Sequence, residues 1–191
     1  MTVSLIIATY NQPKTLELLL LSVENQTKAP DEIIIADDGS NDRVKKIINN
    51  FSKKSNLKIK HSWQEDRGFR AAKSRNKAIA KSTSKYIVMV DGDIILHPRF
   101  IEDHVNNASF GCYIQGSRVL LTSEKTNEIL INKSIKISFF SRGLSNRKNS
   151  IHSVFLSKVF NLFSRKSKKM NSVRSCNMGF YREDCIDVNG Y

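Results

Sequence analysis

Acidic and basic side chains cluster at four points along this sequence where a phosphorylated, metal-bound ligand would need them. The most pointed is Asp91-Gly92-Asp93. Carboxylates two residues apart at a strand end project to the same side, and glycine between them lets a ligand approach the backbone. Two hard oxygen donors of this kind suit Mg²⁺ or Mn²⁺. Asp37-Asp38-Gly39-Ser40 adds two more carboxylates, and Trp63-Gln64-Glu65-Asp66-Arg67-Gly68 brings Arg67, with Arg70 and Arg75 following. Guanidinium groups suit a diphosphate or a base carbonyl, and a carboxylate suits a ribose. Thr9-Tyr10-Asn11 completes the set. Together these residues describe a site for a nucleoside diphosphate with its cation. Each motif alone has a plainer reading: an ordinary turn for Asp-Gly-Asp, a capped turn for Asp-Asp-Gly-Ser, and a solvated helix face for Arg70, Lys73, Arg75, Lys77 and Lys81.

The elements that must position them follow from the apolar pattern. Val3–Thr9, Glu32–Asp37, Lys58–Ser62 and Tyr86–Asp91 are short runs rich in Val and Ile, three of them nearly continuous, as expected of strands buried on both faces. Lys14–Asn25, Asp42–Phe51 and Arg70–Lys81 lie between them and have helical length. Pro13 can open the first helix, and Ser40 or Asn41 can cap the second. Alternation of strand and helix predicts an α/β fold, a mostly parallel central sheet with helices on both faces. In such sheets ligands bind outside the carboxyl ends of the strands, which is where all four clusters fall. Beyond Asp93, Arg99–Asn107 is expected to be helical and Tyr113–Thr122 a strand, while Asn132–Asn149 has no clear period.

Composition limits the partners. The 191 residues carry 31 Lys and Arg against 18 Asp and Glu, with 40% hydrophobic residues and few Gly or Pro, so the chain is neither disordered nor collagenous. Twelve of those bases and no acid lie between Ile129 and Arg182, so nearly all of the formal charge of +13 belongs to one segment. Three cysteines without a CxxC pair fit neither a disulfide framework nor a zinc ribbon and suggest a reducing cytoplasm. His61, His97, His104 and His152 show no metal-ligand spacing and are read as structural or surface residues. Within 152–169, Phe155, Leu156, Val159, Phe160, Leu162 and Phe163 fall on one helical arc, followed by Lys166, Lys168 and Lys169. This pattern fits either an interfacial helix on an anionic membrane or a helix packed on the core.

Order and spacing add a further step. Ser-Leu-Ile-Ile-Ala-Thr-Tyr-Asn at 4–11, Asp-Asp-Gly-Ser at 37–40, Arg-Gly-Phe-Arg-Ala-Ala-Lys-Ser-Arg-Asn at 67–76 and Val-Asp-Gly-Asp at 90–93 together resemble the family 2 glycosyltransferases of the GT-A, nucleotide-diphospho-sugar transferase fold. Leu96–Ile101, Ser175–Arg182 and Asn189-Gly190-Tyr191 extend the likeness over the whole chain. The Arg-Gly-Phe-Arg-Ala-Ala-Lys and Asn-Met-Gly-Phe patterns look like the bacterial polysaccharide polymerase and galactosyltransferase-like branch. The resemblance implies that Thr9, Tyr10 and Asn11 line the nucleotide, Asp38 meets uracil or ribose, and Arg67, Arg70 and Arg75 lie near uracil or phosphates. It further implies that Asp91 and Gly92 face the ribose and that Asp93, with Asp91, holds Mn²⁺ or Mg²⁺.

By the same resemblance the donor is a UDP-hexose or UDP-N-acetylhexosamine and the acceptor a growing glycan or a lipid-linked sugar. The reaction is expected to be inverting and cytoplasmic, with a peripheral association with the inner face of the plasma membrane; nucleic acid is not an expected partner. The expected organisation is one GT-A-like domain over 1–191, with a nucleotide-sugar half at 1–110 and an acceptor-side half at 111–191 carrying a basic insertion at 129–174. Family members continue past the Asn-Gly-Tyr with an acidic stretch bearing the general base, so the base is expected beyond Tyr191 and the domain is expected to lack its C-terminal part. A non-catalytic anion- or membrane-binding module with a relict nucleotide site is the alternative. A dinucleotide dehydrogenase is excluded because no GxGxxG is present.

Overall fold

The computed structural model describes residues 1–153 and 174–191. Strands β1 (Val3–Thr9), β2 (Glu32–Asp37), β3 (Ile59–Trp63) and β4 (Tyr86–Asp91) alternate with helices α1 (Pro13–Glu24), α2 (Asp42–Lys54) and α3 (Ala71–Lys81). These four strands are parallel, and the six-stranded sheet has the order β3-β2-β1-β4-β8-β5. The order reverses direction beside β1, which opens a crevice between the ends of β1 and β4. β8 (Asn177–Tyr181) runs antiparallel to β4, and β5 (Ile114–Gln115) runs antiparallel to β8. Helices α4 (Phe100–Asn107), α5 (Ser123–Asn132) and α6 (Arg182–Asp187) complete the described elements, with a small β6 (Leu120–Leu121) and β7 (Leu144–Ser145) ribbon and a 3₁₀ turn at Arg147–Ser150.

Helices do lie on both faces. Alternate residues of each strand face opposite ways, so Leu5, Ile7, Ile33, Ile35 and Val88 pack with Leu16, Leu19 and Val44 of α1 and α2. Ile6, Ile34, Ile87 and Met89 instead meet Ala78 and Ile79 of α3 and Cys185 of α6. Burial on both faces explains the continuous apolar runs in β1, β2 and β4. Pro13 occupies the first turn of α1, where its missing N–H costs no helical bond, and Asn41 caps α2 by accepting from Arg43 N at 3.0 Å. The expected strand over Tyr113–Thr122 is instead broken. β5 pairs with β8, but at Gly116 the chain leaves the sheet, passing so close to Asn177 that a Cβ would lie 2.1 Å from its amide nitrogen. β6 then pairs with β7 inside the stretch that lacks a period. The amphipathic pattern within 152–169 falls almost wholly outside the described residues. Among the described residues, no helix is long and apolar enough to cross a membrane.

One buried acid braces the end of the sheet opposite the loops. Glu32 accepts from Ser4 Oγ at 2.6 Å, Thr83 N at 2.7 Å and Lys60 Nζ at 2.6 Å. Burial alone would raise its pKa, but Lys60, Ser4 and Thr83 outweigh it and hold the carboxyl at about 2. Because this value lies below the ordinary 4.5, the stabilisation is complete above pH 4.5 and is lost as pH falls toward 2. The shift corresponds to on the order of 3 kcal/mol at neutral pH. Glu32→Gln should therefore lower stability at pH 7 and flatten its acid dependence. Urea unfolding at pH 7 and pH 3 checks this, and equal pH slopes in the two proteins would refute it.

Candidate active site

The loops after β1, β2, β3 and β4 meet at one edge of the sheet and are tied to one another by side chains. The Asn11 backbone is left-handed, with φ of 52°, a conformation asparagine tolerates better than most residues. There its amide donates to Ser40 Oγ at 2.8 Å and its side-chain oxygen accepts from Asn41 N at 2.9 Å. Tyr10 reaches across to the third loop and donates to Asp66 Oδ2 at 2.8 Å, a bond that also raises its phenol pKa. Gly39, with φ of +103°, lies against the same loop; a Cβ there would come 2.6 Å from Asp66 Cα. Only glycine allows both that conformation and that approach.

The carboxylates divide by role. Asp37 turns inward, accepting from Ser40 N and pairing with His61 Nε2, both at 2.8 Å. Burial would raise its pKa, but His61 and Ser40 prevail and keep it low, so Asp37 is a fixed buried anion and does not reach the ligand side. Asp38, only 6% exposed, accepts from Gln64 Nε2 at 2.6 Å and from Arg70 N at 2.8 Å. It holds the start of α3 against the end of β2, leaving a lone pair on each oxygen.

At the end of β4, Asp91 Oδ1 meets Arg75 Nη2 at 2.9 Å, with side chains 34% and 12% exposed. Gly92 N donates to Ala8 O at 2.7 Å, and a Cβ at Gly92 would come 3.1 Å from Thr9 Oγ1, a buried hydroxyl without a partner among the described residues. Asp93 is exposed and, among the described residues, has neither hydrogen bond nor ion pair. A charge-compensated Asp91 beside an unengaged Asp93 is a donor set that fits a hard divalent cation.

The three arginines separate. Arg75 joins Asp91, and its guanidinium lies 5.2 Å from the centroid of the Tyr191 ring. Arg67 pairs with Glu65 at 2.7 Å, and Arg70 Nη2 donates to the Glu65 carbonyl. Both line a shallow pocket of about 320 Å³ beside Trp63, Lys73 and Lys77. A larger cavity, about 760 Å³, runs from Asp93 between α4 and the segment 114–152, and among the residues expected at the site only Asp93 borders it. The structure also brings in residues that the motifs did not single out for roles. Gln64 and Asp66 hold Asp38 and Tyr10, and Asn76 pairs with the backbone of Tyr191 through bonds of 3.1 and 2.7 Å. Their polar type was visible in the sequence, but their partners lie on other loops.

Outside the expected site, His97, Asp103 and His152 come together through the fold. Their ligating atoms lie within 4.8 Å of one another, although nothing in their spacing along the chain brings them together.

Four parallel strands with ligand loops at their carboxyl ends, an Asp-Gly-Asp closing β4 and an antiparallel strand beyond it make this a GT-A nucleotide-sugar transferase fold. Among solved structures, S. aureus TarS superposes with a TM-score of 0.57 at 17% identity, over 99% of this chain and 30% of that one. Glucosyl-3-phosphoglycerate synthase from Mycobacterium tuberculosis, solved with UDP, gives 0.56 at 14% identity, over 95% and 57%. The model of glycosyl transferase family 2 matches residues 4–170, and the chain belongs to that family. Hyaluronan synthase of Pasteurella multocida is 33% identical over 103 residues, 53% of this chain and 10% of the relative. Poly-beta-1,6-N-acetyl-D-glucosamine synthase of Staphylococcus epidermidis is 26% identical over 191 residues, 96% and 43%. The chain thus spans less than half the length of either relative.

Proposed function

We propose that this chain carries the donor site of an inverting, metal-dependent hexosyltransferase that takes a hexose or N-acetylhexosamine from a UDP-sugar and passes it to a growing glycan or lipid-linked acceptor. The observation that carries this reading is the pairing of Arg75 with Asp91 beside the unengaged carboxylate of Asp93, where the loops of β1 and β4 meet. Membership of the family and its polysaccharide-synthase relatives support the reaction class.

In this reading residues 1–110 bind the donor and 111–191 form the acceptor side. Thr9, Tyr10 and Asn11 line the nucleotide, and the remaining lone pairs of Asp38 receive donors of the uracil or ribose. Asp91 and Gly92 approach the ribose, while Arg67 and Arg70 supply positive potential near the base end. Asp93, with Asp91, holds Mn²⁺ or Mg²⁺, which when bound neutralises charge developing on the leaving diphosphate. Arg75 orients Asp91 through their 2.9 Å contact, so the carboxylate pair is assembled before the donor arrives. The cavity beyond Asp93 then places the acceptor hydroxyl next to the anomeric carbon. The reaction belongs at the cytoplasmic face of the plasma membrane, where the basic segment would favour anionic lipid.

Calorimetric titration of UDP with and without Mn²⁺ tests the reading. UDP affinity should fall on the order of 100-fold in chelator, because the cation bridges charges that otherwise repel. Equal affinity in both conditions would overturn it.

A further inference from the structure

The structure assigns a second cation site, separate from Asp91 and Asp93, to His97, Asp103 and His152. Two imidazoles and one carboxylate form a donor set of intermediate softness, suited to Zn²⁺ and its transition-metal neighbours more than to Mg²⁺ or Mn²⁺. His97 in the loop after β4 and Asp103 in the first turn of α4 are near neighbours in sequence, while His152 comes from the segment that follows the Arg147–Ser150 turn.

Geometry favours a shared ligand. His152 Nε2 is 2.8 Å from Asp103 Oδ2, and the His97 and His152 rings are stacked with centroids 4.7 Å apart and planes within 9°. The Asp103–His152 contact alone would explain two members of the trio but not the third. His97 Nδ1 accepts from Arg99 N at 3.3 Å, which orients the ring and leaves Nε2 as its ligand atom. Among the described residues Nε2 has no hydrogen-bond partner, and the same holds for Asp103 Oδ1. All three side chains face the large cavity that Asp93 also borders. Tetrahedral ligands at about 2.0–2.2 Å from a metal stand roughly 3.3–3.5 Å apart, and stacked rings hold their in-plane lone pairs in parallel planes, so closing the trio on an ion takes ångström-scale side-chain shifts together with a turn of one imidazole out of the stack.

Occupancy would fasten His152 to α4 at the mouth of that cavity. Among the described residues an exposed histidine–carboxylate contact joins the segment carrying His152 to α4, and coordination would reinforce it. The inference does not rest on the proposed transferase activity.

Zn²⁺ is the probe, titrated calorimetrically into the full chain carrying Asp93→Asn, which removes the unengaged carboxylate of the other site. One ion per chain should bind. His97→Gln with His152→Gln on the same background should weaken binding by on the order of 100-fold or more, since even changes to outer-shell partners cost 10–100-fold. Co²⁺ should give a visible d–d spectrum that Zn²⁺ abolishes and that Asp103→Asn alters. His97 and His152 are exposed, so circular dichroism should show an unchanged fold in the double variant. No Zn²⁺ binding, or equal binding with and without the two histidines, would overturn the assignment.

Discussion

Asp93→Asn should abolish the metal dependence of UDP binding while leaving the fold intact. The substitution preserves volume and removes one charge from an exposed side chain that, among the described residues, holds nothing else in place. Surface changes of that kind normally alter stability by no more than about 0.5 kcal/mol. Its effect on the ligand should be far larger. With Asp93 neutral, the cation retains Asp91 alone, and that carboxylate is shared with Arg75. Affinity measured in Mn²⁺ should fall to the value the unaltered protein shows in chelator, on the order of 100-fold, or about 2.7 kcal/mol. Parallel thermal unfolding separates lost binding from lost structure. A variant that retains full metal-dependent affinity would place the cation elsewhere.

The parts of this site that were legible in the sequence are those set by local pattern. Continuous Val and Ile runs ending in polar loops gave the parallel strands, because a strand buried on both faces leaves no room for alternation. The four loops followed from the rule that ligand residues gather at carboxyl ends, and the joint order of the motifs pointed to the family. What stayed hidden depends on partners far away in the chain. Asp37 and Asp38 are neighbours of the same type, yet one turns to His61 and Ser40 and the other to Gln64 and Arg70, and nothing local distinguishes them. Tyr113–Thr122 has a strand-like composition throughout, but its break at Gly116 is decided by Asn177. The meeting of His152 with His97 and Asp103 escaped for the same reason: His152 is 49 residues from Asp103. Spacing rules detect ligands that share one helix or one loop, and a site closed by tertiary structure has no such spacing.

These distant contacts also restrain the loops against one another. Loop residues normally lose conformational freedom when they bind, which weakens affinity. Here Asn11 is joined to Ser40 and Asn41, Tyr10 to Asp66, and Asp38 to Arg70, so each loop is restrained by a side chain from the next. Buried Asp37 anchors the middle of the network through its bond with Ser40 N. The side chains left without such duties are few, and Asp93 is the charged one where β4 ends. The division agrees with a scaffold in which most polar groups position the loops and a small remainder contacts the ligand.

Arg75→Met should be the most damaging single change at the site, through both folding and binding. The guanidinium is 12% exposed and meets Asp91, itself 34% exposed, while also lying over the Tyr191 ring. Removing it leaves Asp91 half-buried without its cation and two residues from Asp93, so like charges face each other at the end of β4. Breaking a fully buried pair typically costs 3–5 kcal/mol; partial exposure and solvent screening reduce the expected loss here to about 1–3 kcal/mol. Adding Asp91→Asn should restore most of that stability, because the uncompensated charge is then gone. It should not restore UDP binding in Mn²⁺, because the donor set loses a carboxylate at the same time. Arg75→Lys keeps the charge but not the planar fork, and should recover stability more fully than turnover. Urea unfolding and UDP titration across the single and double variants separate the two effects. If Arg75→Met binds UDP as tightly as the unaltered chain, the Arg75–Asp91 pair is a fold contact only and the donor site lies away from the end of β4.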